Sequence, residues 1–150
     1  MTDCRVVLVR RPPGEPTEAD FRIEEVPVPR CGPTDAIVKV TTTTICGTDS
    51  HIWRAEYPVA EGRVVGHEPS GVIHELGEAV QGYEVGDRVV VGAITPCGAC
   101  YFCQAGDFSQ CAGYEDKWGI IGGWRLGNSM DGVQAEYFRV PYAQANLARI

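Results

Sequence analysis

Cys97-Gly-Ala-Cys100-Tyr-Phe-Cys103-Gln-Ala-Gly-Asp-Phe-Ser-Gln-Cys111 sets four thiols at C-x2-C-x2-C-x7-C spacing. Thiolates so close in sequence select a soft metal. Zinc takes four of them in a tetrahedron at about 2.3 Å, and its binding energy becomes folding energy. An iron–sulfur cluster is the alternative occupant of such a set. A saturated site has no open coordination position, so it holds structure and leaves the chemistry to other residues. A second ligand set stands upstream at Cys46, His51, His67 and Glu68. Thiol and imidazole with a vacant position are what a catalytic zinc needs. One closed set and one open set make the chain read as an enzyme domain.

The rest of the composition narrows the class. At 150 residues the chain is long enough to bury one core. A net charge of −7 argues against a nucleic-acid partner, which needs clustered Lys and Arg; Arg10-Arg11 is the only adjacent basic pair. No apolar run approaches the roughly 18–20 residues of a membrane span, and Met1-Thr2-Asp3 lacks a basic secretory start. The expected location is the cytoplasm, where the seven cysteines stay reduced and available to metal. Cys4 and Cys31 have no partner at ligand spacing and read as free, partly buried thiols.

Outward from the cysteine run, the chain reads as short strands. Val6–Val9 is an apolar run ended by Arg10-Arg11-Pro12-Pro13-Gly14, a turn signal. Phe21–Val26 alternates loosely and stops at Pro27. Ala36–Ile45 carries Ile37, Val38, Val40 and four threonines, all β-formers. Gly71–Leu76, Arg88–Val91 and Val133–Val140 are further strands. Thr48-Asp49-Ser50 predicts the cap of a short helix ending near Arg54, and a turn is expected after Cys100. Eighteen glycines and ten prolines suit tight turns between short strands. The predicted architecture is mainly β, a barrel or sandwich with short helices, the four-cysteine lobe being one insert. Gly119-Ile120-Ile121-Gly122-Gly123 does not fit G-x-G-x-x-G, so the 150 residues hold no dinucleotide-binding fingerprint.

Three motifs in order carry a resemblance: Cys46-Gly47-Thr48-Asp49-Ser50-His51, then Gly66-His67-Glu68 with Gly71, Gly77 and Val80, then the four-cysteine lobe. Together they resemble the zinc-dependent medium-chain alcohol dehydrogenases, over about Ala36 to Ile150. Gly122–Gly127 and Asp131–Phe138 look like the strand region of the secondary-alcohol dehydrogenases. The N-terminal 35 residues look more like the zinc-free double-bond reductases of the same superfamily. The resemblance implies that residues 1–150 form a GroES-like catalytic domain, a barrel with a structural zinc lobe. It implies Cys46 and His67 as catalytic zinc ligands and Glu68 as a carboxylate that enters or leaves the shell. Asp49 would orient the zinc-bound histidine, Thr48 would take the alcohol proton, and His51 would pass it to solvent. Cys97, Cys100, Cys103 and Cys111 match the structural zinc ligands.

The family's third protein ligand, a Cys or Asp, and its Rossmann domain are expected beyond Ile150. The implied cofactors are two zinc ions, one catalytic and one structural, with NAD or NADP held by the absent domain. The implied substrates are small alcohols and their aldehydes or ketones, and the implied full-length assembly is a homo-oligomer. The 150 residues alone are expected to be catalytically silent. The competing class is a zinc-stabilised GroES-like binding module without catalysis, which needs no third ligand but leaves Thr48, Asp49 and His51 unexplained beside Cys46. Trp53 and Tyr57 are read as pocket wall or ordinary packing, His74 as structural, and Trp118 and Trp124 without a role.

Overall fold

A computed structural model of the chain describes residues 3–10, 20–113 and 123–150. Within these, strands dominate, as the β-branched runs require. Strands β1 (Asp3–Arg10) and β2 (Asp20–Pro27) form an antiparallel hairpin. Strands β3 (Ala36–Thr43), β4 (Pro69–Leu76), β5 (Arg88–Val91), β6 (Tyr137–Val140) and β7 (Leu147–Arg149) form one antiparallel sheet in the order β6-β3-β4-β5-β7. Strand β3 lies between β6 and β4, and its Ala36, Ile37 and Val38 are all fully buried. Consecutive buried residues mark a strand covered on both faces, which alternation alone does not announce. Val38, Ile73, Val89, Phe138 and Val140 are among the residues of the main core beside this sheet.

The hairpin is tied to the remainder through its first strand. Val7 N donates to the Gln134 carbonyl at 2.8 Å, and Val65 N donates to the Val7 carbonyl at 3.1 Å. Isolated bridges Val6–Ala135 and Leu8–Val64 continue this pairing. Cys4, Val6, Leu8 and Val64 are buried together there, so the Cys4 thiol is core. Cys31 is half-buried, its thiol within 3.5 Å of the Asp35 carbonyl, and it too stays outside any ligand set.

The predicted strand Ala36–Ile45 ends at Thr43, because Thr44 and Ile45 turn out of the sheet toward Cys46. The predicted strand Val133–Val140 is a strand only from Tyr137. Its first half changes partners: Val133 N and Gln134 N donate to the carbonyls of Gly66 and Val65, and contact with β3 begins where Val40 N donates to the Glu136 carbonyl. Two elements had no expectation, the turn of helix Ala143–Asn146 and β7 behind it. His74 lies exposed on β4 with its ring 4.9 Å from that of Tyr137, as a structural residue would. The turn signal at residues 11–14, residues 119–122 and Trp118 lie outside the described residues.

Candidate metal centres

The short helix α1 (Gly47–Trp53) begins where β3 has left the sheet. Its cap is Cys46, not the Thr48-Asp49-Ser50 run. Asp49 reaches back so that Cys46 N donates to its Oδ2 at 2.8 Å, while Asp49 N donates to the Cys46 carbonyl at 3.0 Å. A carboxylate at the third helical position facing the cap is the reciprocal half of a capping box. Buried Ile52 packs the other face of α1 against Val9, Val59 and Val65. The helix therefore serves to fix Cys46 and frees the Thr48 hydroxyl, whose oxygen lies 3.7 Å from Cys46 Sγ.

The second ligand pair is set by a glycine. Gly66 has φ +91°, and a Cβ there would lie 2.6 Å from Gln134 Cγ. Gly132 packs on it from the other side, its own would-be Cβ 2.4 Å from the Gly66 carbonyl oxygen. Backbone thus meets backbone directly beneath His67, and a left-handed residue turns the chain from residues 62–65 into β4. His67 is buried, and Glu68 is exposed with its carboxylate hydrogen-bonded by the Thr44 hydroxyl.

These two turns bring one ligand atom each of Cys46, His67 and Glu68 within 4.8 Å of one another. The donor set fits a metal: a thiol, an imidazole and a carboxylate suit zinc. Within the described residues, buried His67 Nδ1 and Asp49 Oδ1 have no hydrogen-bond partner, which an apo core would not tolerate and an ordered metal shell would use. His51 does not join this set. Its Nδ1 is paired with the Glu56 carboxylate, and its side chain is 45% exposed, at the rim.

Aromatic rings connect that rim to the ligands. The His51 ring centroid lies 5.1 Å from that of Tyr57, Tyr57 lies 5.7 Å from Trp124, and Trp124 lies 6.0 Å from His67. Tyr57 and Trp124 therefore wall the space between His51 and His67, whereas Trp53 stands exposed on α1. Trp124 carried no sequence signal, since it is brought in from a loop over fifty residues away by an Ile94–Trp124 bridge.

The four cysteines form a separate cluster whose Sγ atoms lie within 4.8 Å of one another. Cys97 and Cys103 sulfurs are 4.0 Å apart and Cys100 and Cys111 sulfurs 3.9 Å. A tetrahedron of sulfurs about 2.3 Å from a central zinc has edges of about 3.8 Å, so the cage has the right size. The turn Tyr101–Gln104 and a 3-10 turn, Phe108–Gln110, carry the loop between ligands. Backbone amides aim at the sulfurs: Cys97 N and Gly113 N donate to Cys111 Sγ at 3.2 and 3.4 Å, and Cys100 N donates to Cys97 Sγ at 3.3 Å. The amide of Cys103 and its neighbours bring the Cys100 thiol down to about 6, while burial pushes Cys103 up to about 12. Burial also raises Cys111, but the Cys97 and Gly113 amides and the Arg125 guanidinium together outweigh it and leave the thiol lowered. Such a cage fits a structural zinc lobe. Asn146 secures its base, donating from Nδ2 to the carbonyls of Pro96 and Pro141 at 3.0 and 2.8 Å.

A β-rich domain with one thiolate cage and one Cys–His–Glu cluster defines a zinc-type dehydrogenase domain. Residues 32–149 match the family model of the alcohol dehydrogenase GroES-like domain, and the chain belongs to that family. An alcohol dehydrogenase of Cupriavidus necator is 53% identical over 138 residues, covering 87% of this chain and 38% of the relative. Among solved structures, alcohol dehydrogenase TADH from Thermus sp. ATN1 superposes with TM-score 0.80 at 33% identity, over 97% of this chain and 40% of that one. The cobalt- and zinc-bound thermostable alcohol dehydrogenase from Pyrobaculum aerophilum superposes with TM-score 0.78 at 27% identity, over 99% and 41%. The chain thus spans about two fifths of the length of the proteins it matches. No helix among the described residues is long and apolar enough to cross a membrane.

Proposed function

We propose that this chain is the GroES-like catalytic domain of a zinc-dependent NAD(P) alcohol dehydrogenase that interconverts small alcohols with aldehydes or ketones. The observation that carries the reading is the convergence of Cys46, His67 and Glu68 ligand atoms beside Thr48. Cys46 and His67 would hold the catalytic zinc, and Glu68, exposed at the edge, would be a further carboxylate available to it. When bound, zinc supplies the Lewis acidity that makes an alcohol hydroxyl acidic at neutral pH, and NAD(P)+ supplies the hydride acceptor. Asp49 fixes the Cys46 backbone and offers its buried Oδ1 to the ligand shell. Thr48 Oγ1, beside Cys46 Sγ, takes the hydroxyl proton. His51 relays it to solvent, its ring steered by Glu56. Tyr57 and Trp124 line the route between His51 and His67. Cys97, Cys100, Cys103 and Cys111 hold a structural zinc. The nicotinamide site and a further zinc ligand belong to sequence outside these 150 residues, the location is cytoplasmic, and the whole enzyme is a homo-oligomer.

Zinc analysis of the purified protein tests this reading. Two zinc ions per chain are expected, one lost in Cys100→Ser and the other in Cys46→Ser. A folded protein without zinc would refute both centres. Alcohol-dependent reduction of NAD(P)+ by the whole protein, abolished in Thr48→Val, tests the chemistry; full activity in that variant would refute the proton route.

A further inference from the structure

Four thiolates around one Zn2+ carry a net charge of about −2, and three of these cysteines, Cys97, Cys103 and Cys111, are buried. Charge removed from water needs compensation close by. Amide dipoles supply part of it, at Cys97, Cys100 and Gly113. Among the described residues one cationic side chain other than histidine is buried, Arg125, at 1% exposure. Its guanidinium is a planar cationic fork of donors held in the interior.

Arg125 stands against the cage. Its Nη2 donates to the carbonyl oxygen of Cys111 at 2.5 Å. Its backbone is locked onto the lobe on both sides. Gly123 N donates to the Ser109 carbonyl, Thr95 N donates to the Gly123 carbonyl, and Trp124 bridges Ile94. Asn128 N and Met130 N both close on the Arg125 carbonyl at 3.0 Å.

We propose that Arg125 is a positioning residue of the four-cysteine zinc, its buried guanidinium offsetting the excess negative charge of the thiolate cage and so setting how firmly the lobe holds metal. This rests on the reading of the lobe as a zinc site. Arg125→Gln keeps a donor for the Cys111 carbonyl and removes the charge, whereas Arg125→Lys keeps the charge and loses the fork.

The experiment measures zinc transfer from the lobe of the zinc-loaded protein to a chromophoric chelator, and the thiolate-to-metal absorption band after cobalt replacement. R125Q is expected to weaken metal retention roughly tenfold or more and to shift the cobalt band. R125K is expected to restore most of the retention, and Arg22→Met on the exposed hairpin to change neither readout. Equal retention in R125Q, R125K and the parent overturns the proposal. Should R125Q unfold without added metal, titration with zinc decides. Recovery of the native circular dichroism at raised zinc supports a charge role, and no recovery at any zinc assigns Arg125 to packing and overturns the proposal. Cys100→Ser separates the two readings. If it loses one zinc while R125Q retains it, the zinc lobe stands and the role of Arg125 falls; if it retains both zinc ions, both readings fall.

Discussion

Asp49 is asked to do two things at once, and substitution separates them. It is 3% exposed, its Oδ2 accepts the Cys46 amide at 2.8 Å, and its Oδ1 is buried without a partner among the described residues. Asp49→Ala removes a charge-assisted cap and strands a buried N–H, a loss of about 2–3 kcal/mol. With a urea dependence of about 2 kcal/mol per molar, that lowers the unfolding midpoint by roughly 1–1.5 M. Asp49→Asn keeps an oxygen in place for the Cys46 amide, so its stability loss is expected at about 1 kcal/mol or less. The carboxylate charge beside Cys46 is gone in both variants. Metal affinity at Cys46, His67 and Glu68 is therefore expected to fall roughly 10–100-fold in each, although only one is much destabilised. Urea unfolding followed by circular dichroism gives the first quantity, and chelator competition on the protein with the four-cysteine lobe kept loaded gives the second. Unchanged metal affinity in D49N would refute the role given to Oδ1. A midpoint in D49A within about 0.2 M of the parent would refute the role given to Oδ2.

Other consequences are as direct. Ile73, 1% exposed in the main core, is expected to cost about 2–5 kcal/mol when cut to Ala, against less than about 0.5 kcal/mol for Ile23, 75% exposed on β2. Equal midpoints in thermal or urea unfolding would show that the core is misplaced. Gly66→Ala meets both a positive φ and Gln134, and is expected to lose the zinc bound through Cys46 and His67 while the lobe zinc stays; two zinc ions per chain in that variant would contradict it. The Arg149 guanidinium, with the Glu84 amide, holds the Asp87 carboxyl below its ordinary pKa of 3.8. A depressed carboxylate pKa adds stability that is present above the unfolded-state value and is lost as pH falls through the folded value. The stability difference between the parent and Asp87→Asn is thus expected at pH 7 and to close as pH drops below 3.8; a difference that persists in acid would refute the pairing.

The ligands were legible because metal chemistry imposes residue type and spacing, and those survive in a linear string. Cys97 to Cys111 is a local motif, and its cage could be anticipated from spacing alone. Strands β3, β4 and β5 were legible for a similar reason, since runs of Val, Ile and Thr act locally. Beyond these, the readable signal faded where tertiary pairing decides. Residues 133–135 continue directly into the strand 137–140 in sequence, yet they pair with residues 65–66 and β1 rather than β3. The helix cap was assigned to Thr48-Asp49-Ser50 because Ser, Thr and Asp usually cap, whereas here Asp49 acts from the third helical position on Cys46. The turn Ala143–Asn146 is too short for periodicity to show. Trp124 and Arg125 were silent because each acts at a distance in sequence, one beside His67 and the other beside Cys111. Neighbours on an extended segment point opposite ways, so one dipeptide serves two centres.

The bare contact of Gly66 with Gly132 divides the candidate site into a fixed side and a replaceable one. His67 stands on backbone that tolerates no added carbon, so that corner admits almost no sequence drift and hands its geometry on intact. The opposite wall, where Tyr57 faces Trp124, belongs to an exposed connection after α1 that nothing so tight restrains. A lineage, or an engineer, can rewrite the stretch around Tyr57 and Pro58 and leave Cys46, His67 and Glu68 where they are. On the function proposed above, a new substrate preference would be a matter of changing one loop while the Cys46, His67 and Glu68 cluster stays in place.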